Sequence, residues 1–226
     1  MIGAPRVHHR IADSTNERAK ELAAAGAPHG TLVTADEQTA GRGRLGRAWT
    51  APPRSALLMS VVLRDLDERH ALLPLAAAVA VCESIPADCA IKWPNDVWIE
   101  GRKVAGILVE GRPQAGWVAL GVGLNVTTDE FPLELADIAT SLRLAGLDEG
   151  IEEVLGRLLT ALDRALAAPP DSVLAAWRSR DALLGRPVRW SGGEGTADGV
   201  ADSGALRVQT RNGLVALDAG EVHLLR

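Results

Sequence analysis

Residues 89–126 read CAIKWPNDVWIEGRKVAGILVEGRPQAGWVALGVGLNV, and this stretch decides the fold class. Cys89–Trp93 is apolar and stops at Pro94, which has no N–H to continue a ladder, so it reads as a strand end. Asp96–Glu100 and Lys103–Gly111 alternate apolar and polar positions around Gly101-Arg102, the pattern of a hairpin. Gly116–Val126 is a further strand. Toward the N-terminus, Glu68–Ile85 reads as a buried helix with Pro74 in its first turns, and Ala56–Arg64 and Thr31–Glu37 as strands. Ala19, Leu22 and Ala23 form a helical stripe ending at Gly26, and Glu17 follows Ser14 in capping-box register. The order strand, helix, several strands, helices predicts an α+β domain whose mixed sheet is flanked by helices, rather than a doubly wound sheet.

Toward the C-terminus, Pro169-Pro170 separates two helices, Gly150–Ala168 and Asp171–Leu184. From Arg186 onward, short β-like runs (PVRW, GTADGVA, ALRVQT, GLVALD, EVHLLR) alternate with Gly turns, the texture of a small SH3-like β-barrel. The chain therefore divides into residues 1–184 and 185–226. Removal of 186–226 is expected to leave the main sheet foldable and to impair only the later chemistry.

The 226 residues are 47% hydrophobic and 23% charged, which excludes disorder as the main state. The net charge of −5 argues against a general nucleic-acid binder, since phosphate neutralisation needs an excess of Lys and Arg. Cys82 and Cys89 fit neither a disulfide framework nor a zinc site, and read as small buried hydrophobes in a reducing compartment. No apolar segment has the length of a membrane span and no signal peptide opens the chain, so a soluble cytoplasmic protein is expected.

Four stretches carry chemistry. Residues 38–54, QTAGRGRLGRAWTAPPR, hold four Arg and no acid in an otherwise acidic chain. Glycines let backbone N–H groups approach a ligand, and guanidinium forks suit carboxylate or phosphate, so this loop is expected to close over an anion. It is neither a dinucleotide fingerprint nor a Walker A loop, because no helix opens after it and no Gly-Lys-Ser/Thr ends it. Asn95 and Asp96 leave the end of a buried strand and can hydrogen-bond a ligand or hold Mg²⁺. Lys103 opens an apolar strand, where a charge is costly unless it meets an anion, and Gly106 clears space within that strand. In Gly121-Val122-Gly123-Leu124-Asn125-Val126 two more glycines clear space, and the Asn125 amide can read a heterocycle edge. Each stretch alone is equally consistent with a turn, a solvated basic loop or an exposed hairpin lysine.

In this order within one chain, Ser14-Thr15-Asn16, Gln38 leading into GRGRLGR and Trp49, KWPND, RKVAGILVE and GVGLNV resemble the biotin protein ligase family, over residues 8 to 180 and more loosely in the tail. The resemblance implies the class II aminoacyl-tRNA synthetase/biotin ligase-like fold. It implies ligation in two steps: biotin and ATP give biotinyl-5′-AMP and pyrophosphate, and an acceptor lysine then displaces AMP. It places Ser14, Thr15, Asn16, Gln38, Gly41, Arg42, Arg44, Lys103 and Gly106 around biotin, with Gly123 also leaving room for it at the sheet. It places Arg44, Arg47, Trp49, Asn95 and Asn125 around ATP. Lys103, Arg44 and Asp96 become the catalytic set, with Asp96 also a candidate Mg²⁺ ligand. The implied partner is the biotin carboxyl carrier domain of a biotin-dependent carboxylase, with no DNA, no membrane, and at most a weak homodimer. The Ser-Thr-Asn motif begins at residue 14, so a short form without the DNA-binding domain of some members is expected. The segment 138–146, IATSLRLAG, lacks the aromatic that covers adenine in some members, which leaves Trp49 as the expected stacker. A lipoate or octanoate ligase, a non-catalytic biotin binder and a nucleic-acid protein are the alternatives. Gln38 and the paired Arg favour biotin and an adenylate over the first of these.

Overall fold

The computed structural model describes residues 1–65 and 72–225. Its larger sheet is built from β1 (Arg6–His9), β2 (Leu32–Ala35), β3 (Ala56–Arg64), β4 (Ala90–Lys92), β5 (Asp96–Ile99), β6 (Arg102–Arg112) and β7 (Trp117–Asn125). The spatial order is β1-β2-β3-β7-β6-β5-β4. Only β1 and β2 are parallel; every other pair is antiparallel, so the sheet is mixed, as the sequence predicts. The sequence carries no signal for β1: RVHH contains a single apolar residue, and pairing with β2 makes it a strand.

The helices are α1 (Thr15–Ala24), α2 (Leu73–Ser84), α3 (Leu133–Ala136), α4 (Ile151–Ala167) and α5 (Pro170–Arg178). The start of the expected first long helix, Glu68–Ala71, lies outside the described residues, apart from which α2 begins with Pro74 in its first turn. The continuous apolar run of β3 follows from burial on both faces. Leu57, Met59, Val61 and Leu63 join the main core with α2 and α4, whereas Val62 packs with Ala19 and Ala23 of α1. In β7, Val118, Leu120, Val122 and Leu124 enter the main core. The alternate positions Trp117 and Ala119 pack with α1, and Gly121 and Gly123 continue that face into an open cleft.

The capping box does not form. Ser14 is the N-cap of α1 but makes no side-chain cap bond. Glu17 pairs instead with Lys20 of the same helix at 2.8 Å and with Arg42 of the neighbouring loop at 2.6 Å, and these two cations compete for it.

The tail forms a second, antiparallel sheet of β8 (Pro187–Trp190), β9 (Gly193–Val200), β10 (Leu206–Thr210), β11 (Gly213–Leu217) and β12 (His223–Leu224), in the order β11-β10-β9-β8-β12. It does not stand apart. Val188, Val200, Leu206, Val208 and Val222 belong to the same buried cluster as the larger sheet. Trp93 Nε1 donates to the Gly204 carbonyl at 3.0 Å, and the backbone of 180–182 bonds on both sides of Ile91 in β4.

At this junction one carboxylate oxygen of Asp181 is buried without a partner, and burial pushes the Asp181 carboxyl up from its ordinary range against two backbone N–H bonds. A carboxyl with a raised folded-state pKa favours the fold at low pH and costs stability as pH rises from the unfolded pKa through the folded one. Asp181→Asn removes that loss. Its melting temperature relative to wild type should therefore be higher at pH 7 than at pH 3.5, and an offset independent of pH would contradict the assignment. Among the described residues no helix is long and apolar enough to cross a membrane.

Candidate active site

An open cleft lies where the Gly-bearing face of β6 and β7 meets the loop after β2 and a turn of the second sheet. At one end, Gln38 Oε1 accepts from the Thr15 backbone N–H at 2.7 Å and from Thr15 Oγ1 at 3.0 Å, while Ser60 Oγ donates to Thr15 Oγ1 at 2.9 Å. Asn16 gives its amide N–H to Glu110 at 2.7 Å, and its Oδ1 is buried without a partner. An orphan acceptor beside hydroxyls and an amide suits a ligand carrying both N–H and C=O.

The Gly-Arg loop arches over the middle. The Gly43 and Trp49 backbone N–H groups donate to the Arg47 and Gly41 carbonyls at 2.7 and 2.9 Å, and a short 3₁₀ turn spans Arg44–Gly46 with Leu45 at φ 55°. A Cβ on Gly41 would lie 2.3 Å from the Trp49 carbonyl, so only glycine allows this crossing. Gly41 shapes the loop from behind and does not line the cleft. Arg42 pairs with Glu17 at 2.6 Å and Arg47 with Glu221 at 2.5 Å. Among the described residues Arg44 reaches only the Asn95 amide oxygen, at 3.3 Å, and burial pushes its pKa down, with Asp96 and Glu221 opposing.

At the far end Lys103 Nζ lies 2.6 Å from Asp96 Oδ1 and 5.5 Å from the Trp49 ring centroid. A bulge places it there. Val97 pairs with Ala105 but Trp98 with Lys103, so Val104 is an extra residue. Lys103 and Gly106 would lie on opposite faces of a regular strand; the bulge turns both toward the cleft. The Lys103 backbone is held from the other side, donating to Ile138 and accepting from Thr140, each at 2.8 Å.

Ser14, Thr15, Asn16, Gln38, Arg42, Arg44, Arg47, Trp49, Asn95, Asp96, Lys103 and Gly106 thus meet in one cleft, but besides Gly41 three expectations need correction. Asn125 is buried and donates its amide to the Thr140 carbonyl at 3.0 Å; it ties the segment after β7 to the sheet and does not face the cleft. Gly106 and Gly123 do clear space on the sheet, but the Trp49 indole fills it: a Cβ on Gly123 would lie 2.4 Å from the ring. Asp96 is committed to Lys103, and among the described residues no group of three His, Cys, Asp or Glu side chains could hold a metal. Mg²⁺ therefore fits here as the counter-ion of a bound polyphosphate rather than as a resident metal.

Four cleft residues carry no clear sequence signal. Ser60 lies in an unbroken apolar strand, Lys92 opens a motif whose Pro, Asn and Asp draw attention, and Glu221 and Val222 come from the distant tail. Five basic side chains line the cleft against two carboxylates, in a chain of net charge −5. The site is therefore a concentrated anion receptor beside a neutral polar pocket.

Residues 7–126 match the biotin/lipoate A/B protein ligase family, and residues 183–225 match the biotin protein ligase C-terminal domain. The chain is 38% identical to a biotin–[acetyl-CoA-carboxylase] ligase of Mycobacterium tuberculosis, covering 94% of this chain and 86% of that one. It is 34% identical to a bifunctional ligase/repressor BirA of Bacillus spizizenii, covering 99% of this chain and 75% of that one. The structure of a biotin protein ligase from Aquifex aeolicus in complex with biotin and ATP superimposes with a TM-score of 0.86 at 30% identity, covering 99% and 100% of the two chains.

Proposed function

This chain belongs to the biotin/lipoate A/B protein ligase family, and from that premise we propose that it is an ATP-dependent biotin protein ligase acting on a carboxyl carrier domain. The observation that carries the reading is the cleft itself, a neutral amide-and-hydroxyl pocket continuous with a cluster of Arg and Lys in which Arg44, Lys92 and Lys103 are half-buried.

Ser14, Thr15, Asn16 and Gln38 hold the ureido ring, the orphan Asn16 Oδ1 accepting one N–H. Arg42, Arg44 and Lys103 bring the biotin carboxylate and the α-phosphate together, two anions that repel in water. A carboxylate oxygen attacks the α-phosphorus, the bond to the β-phosphate oxygen breaks, and pyrophosphate leaves. The neutral amine of the acceptor lysine then attacks the anhydride carbonyl, AMP departs, and the amine loses a proton. We place the incoming amine beside Asp96, the carboxylate that Lys103 positions in the cleft wall. Asn95 and Arg47 hold the nucleotide phosphates and Trp49 the adenylate ring system. We assign residues 1–184 to catalysis and 185–226 to a C-terminal domain that completes the cleft through Glu221 and Val222. The reading places the enzyme in the cytoplasm, where ATP is supplied, and gives the described residues no DNA-binding role, in keeping with the net charge of −5. It extends no further than a weak homodimer.

Mass analysis of a carrier domain incubated with the chain, biotin and MgATP tests the function. A gain of one biotinyl group on lysine supports it. A gain with lipoate and none with biotin would replace it by lipoate ligation.

The Gly-Arg loop supplies a further prediction. Arg42 and Arg47 are 52% and 63% exposed in their ion pairs, and exposed pairs hold a loop weakly. Trypsin should therefore nick the chain after Arg42, Arg44 or Arg47 rapidly without ligand and far more slowly with biotin and ATP, as the anions order the guanidinium groups. Equal rates would mean a rigid, preformed loop.

A further inference from the structure

Lys92 and Asp96 are paired residues of β4 and β5, so their side chains leave the same face of the sheet. Asp96 nevertheless turns away, to Lys103 at 2.6 Å. The other carboxylate facing Lys92 is Glu221, which is held by Arg47 at 2.5 Å. Among the described residues Lys92 has no ion pair within 4.0 Å; its ammonium rests 5.7 Å from the Trp98 ring centroid. Burial pushes its pKa down, and the facing Lys103 and Arg47 add to that. A half-buried lysine beside two further cations, its nearest carboxylates already committed, is costly unless an anion arrives.

Its position says which anion. Lys92 lies on the edge strand of the larger sheet, next to Glu221 of the second one. The cations assigned to the reacting carboxylate and α-phosphate lie on the loop and on β6. The β- and γ-phosphates carry most of the charge of ATP, and Arg47, the cation given to the nucleotide phosphates above, is 63% exposed and already held by Glu221.

We propose that Lys92 forms the pyrophosphate subsite: its ammonium binds the β- and γ-phosphates and stabilises the charge that collects on the leaving pyrophosphate as the bond to the α-phosphorus breaks. The electron pair of that bond departs with pyrophosphate, and Lys92 keeps its proton throughout. This rests on the ligase reading above.

The test separates the half-reactions. Lys92→Met keeps the apolar stem and removes the charge, and Lys92→Arg restores the charge. For Lys92→Met, kcat/KM for ATP in biotin-dependent pyrophosphate release should fall about 10²- to 10³-fold, the cost of losing one transition-state donor. Inhibition by added pyrophosphate should weaken about 10- to 100-fold, the equivalent of one charge-assisted bond. Biotin affinity and transfer from synthetic biotinyl-AMP to the carrier should stay near wild type, and Lys92→Arg should recover much of the loss. Equal losses in both half-reactions, or unchanged inhibition by pyrophosphate, would overturn the proposal and make Lys92 a structural residue. If the variants do not fold, the wild type decides: inorganic pyrophosphate with Mg²⁺ should protect Lys92 from a lysine-acylating reagent, read by peptide mass, and equal labelling would refute the subsite. A wild-type chain with no biotin-dependent pyrophosphate release would instead refute the ligase reading.

Discussion

Lys103→Ala is expected to lower biotinyl-AMP formation about 10²- to 10³-fold, the cost of one lost donor at a developing charge, while biotin binding falls far less. The ammonium lies 2.6 Å from Asp96 and 5.5 Å from the Trp49 ring centroid, and the proposed function puts it at the junction of the two anions. Its contribution is largest when the carboxylate and α-phosphate oxygens share one phosphorus, and smallest when biotin alone is bound, so the loss should appear in kcat more than in biotin affinity. Alanine also leaves the Asp96 carboxylate without its partner. Transfer from preformed biotinyl-AMP should therefore suffer as well, which distinguishes Lys103 from Lys92. The Lys103 backbone bonds to Ile138 and Thr140 do not depend on the side chain, so the cleft wall should persist. Pyrophosphate release and direct biotin titration on one preparation check this. Near-normal release would remove Lys103 from the catalytic set.

Deleting residues 186–226 is expected to abolish both half-reactions and to destabilise the rest of the chain. This reverses the outcome that the sequence suggests, in which the tail serves only transfer. Glu221 and Val222 line the cleft, and Glu221 holds Arg47. Val188, Val200, Leu206, Val208 and Val222 lie in the same buried cluster as Trp93, Ile91 and α2. Truncation would expose that apolar surface, at roughly 25 cal/mol for each Å² uncovered, and would leave the Trp93 indole N–H without its acceptor. Intact protein should melt in a single transition, and the truncated chain should melt well below it or fail to fold. A truncated chain that folds and forms biotinyl-AMP normally would restore the independent-tail reading.

The mixed α+β sheet and the separate β texture of the tail are legible in the sequence because strand alternation and Gly and Pro punctuation are local, and local chemistry constrains local backbone. That Ser14, Thr15, Gln38, Arg44, Asp96 and Lys103 belong to one site came from the resemblance of their ordered motifs to the family, since each stretch alone reads equally well as a turn, a basic loop or an exposed lysine. Tertiary structure alone decided how the remaining pieces meet. Asn125 looks like a base-reading amide, but Thr140 claims it, and a partner 15 residues away leaves no mark on the motif itself. Gly106 and Gly123 announce that something lies close to the sheet without saying that it is Trp49. Lys103 and Gly106 share a face only through the Val104 bulge, whose extra residue is visible solely in the register of β6 against β5. Lys92 reads as one more polar residue at a strand end until the pairing of Asp96 with Lys103 and of Glu221 with Arg47 leaves it without a counter-ion among the described residues. What decides each case is a neighbour distant in the chain (a packed ring, a paired strand or a competing charge), and that is settled in space rather than along the chain.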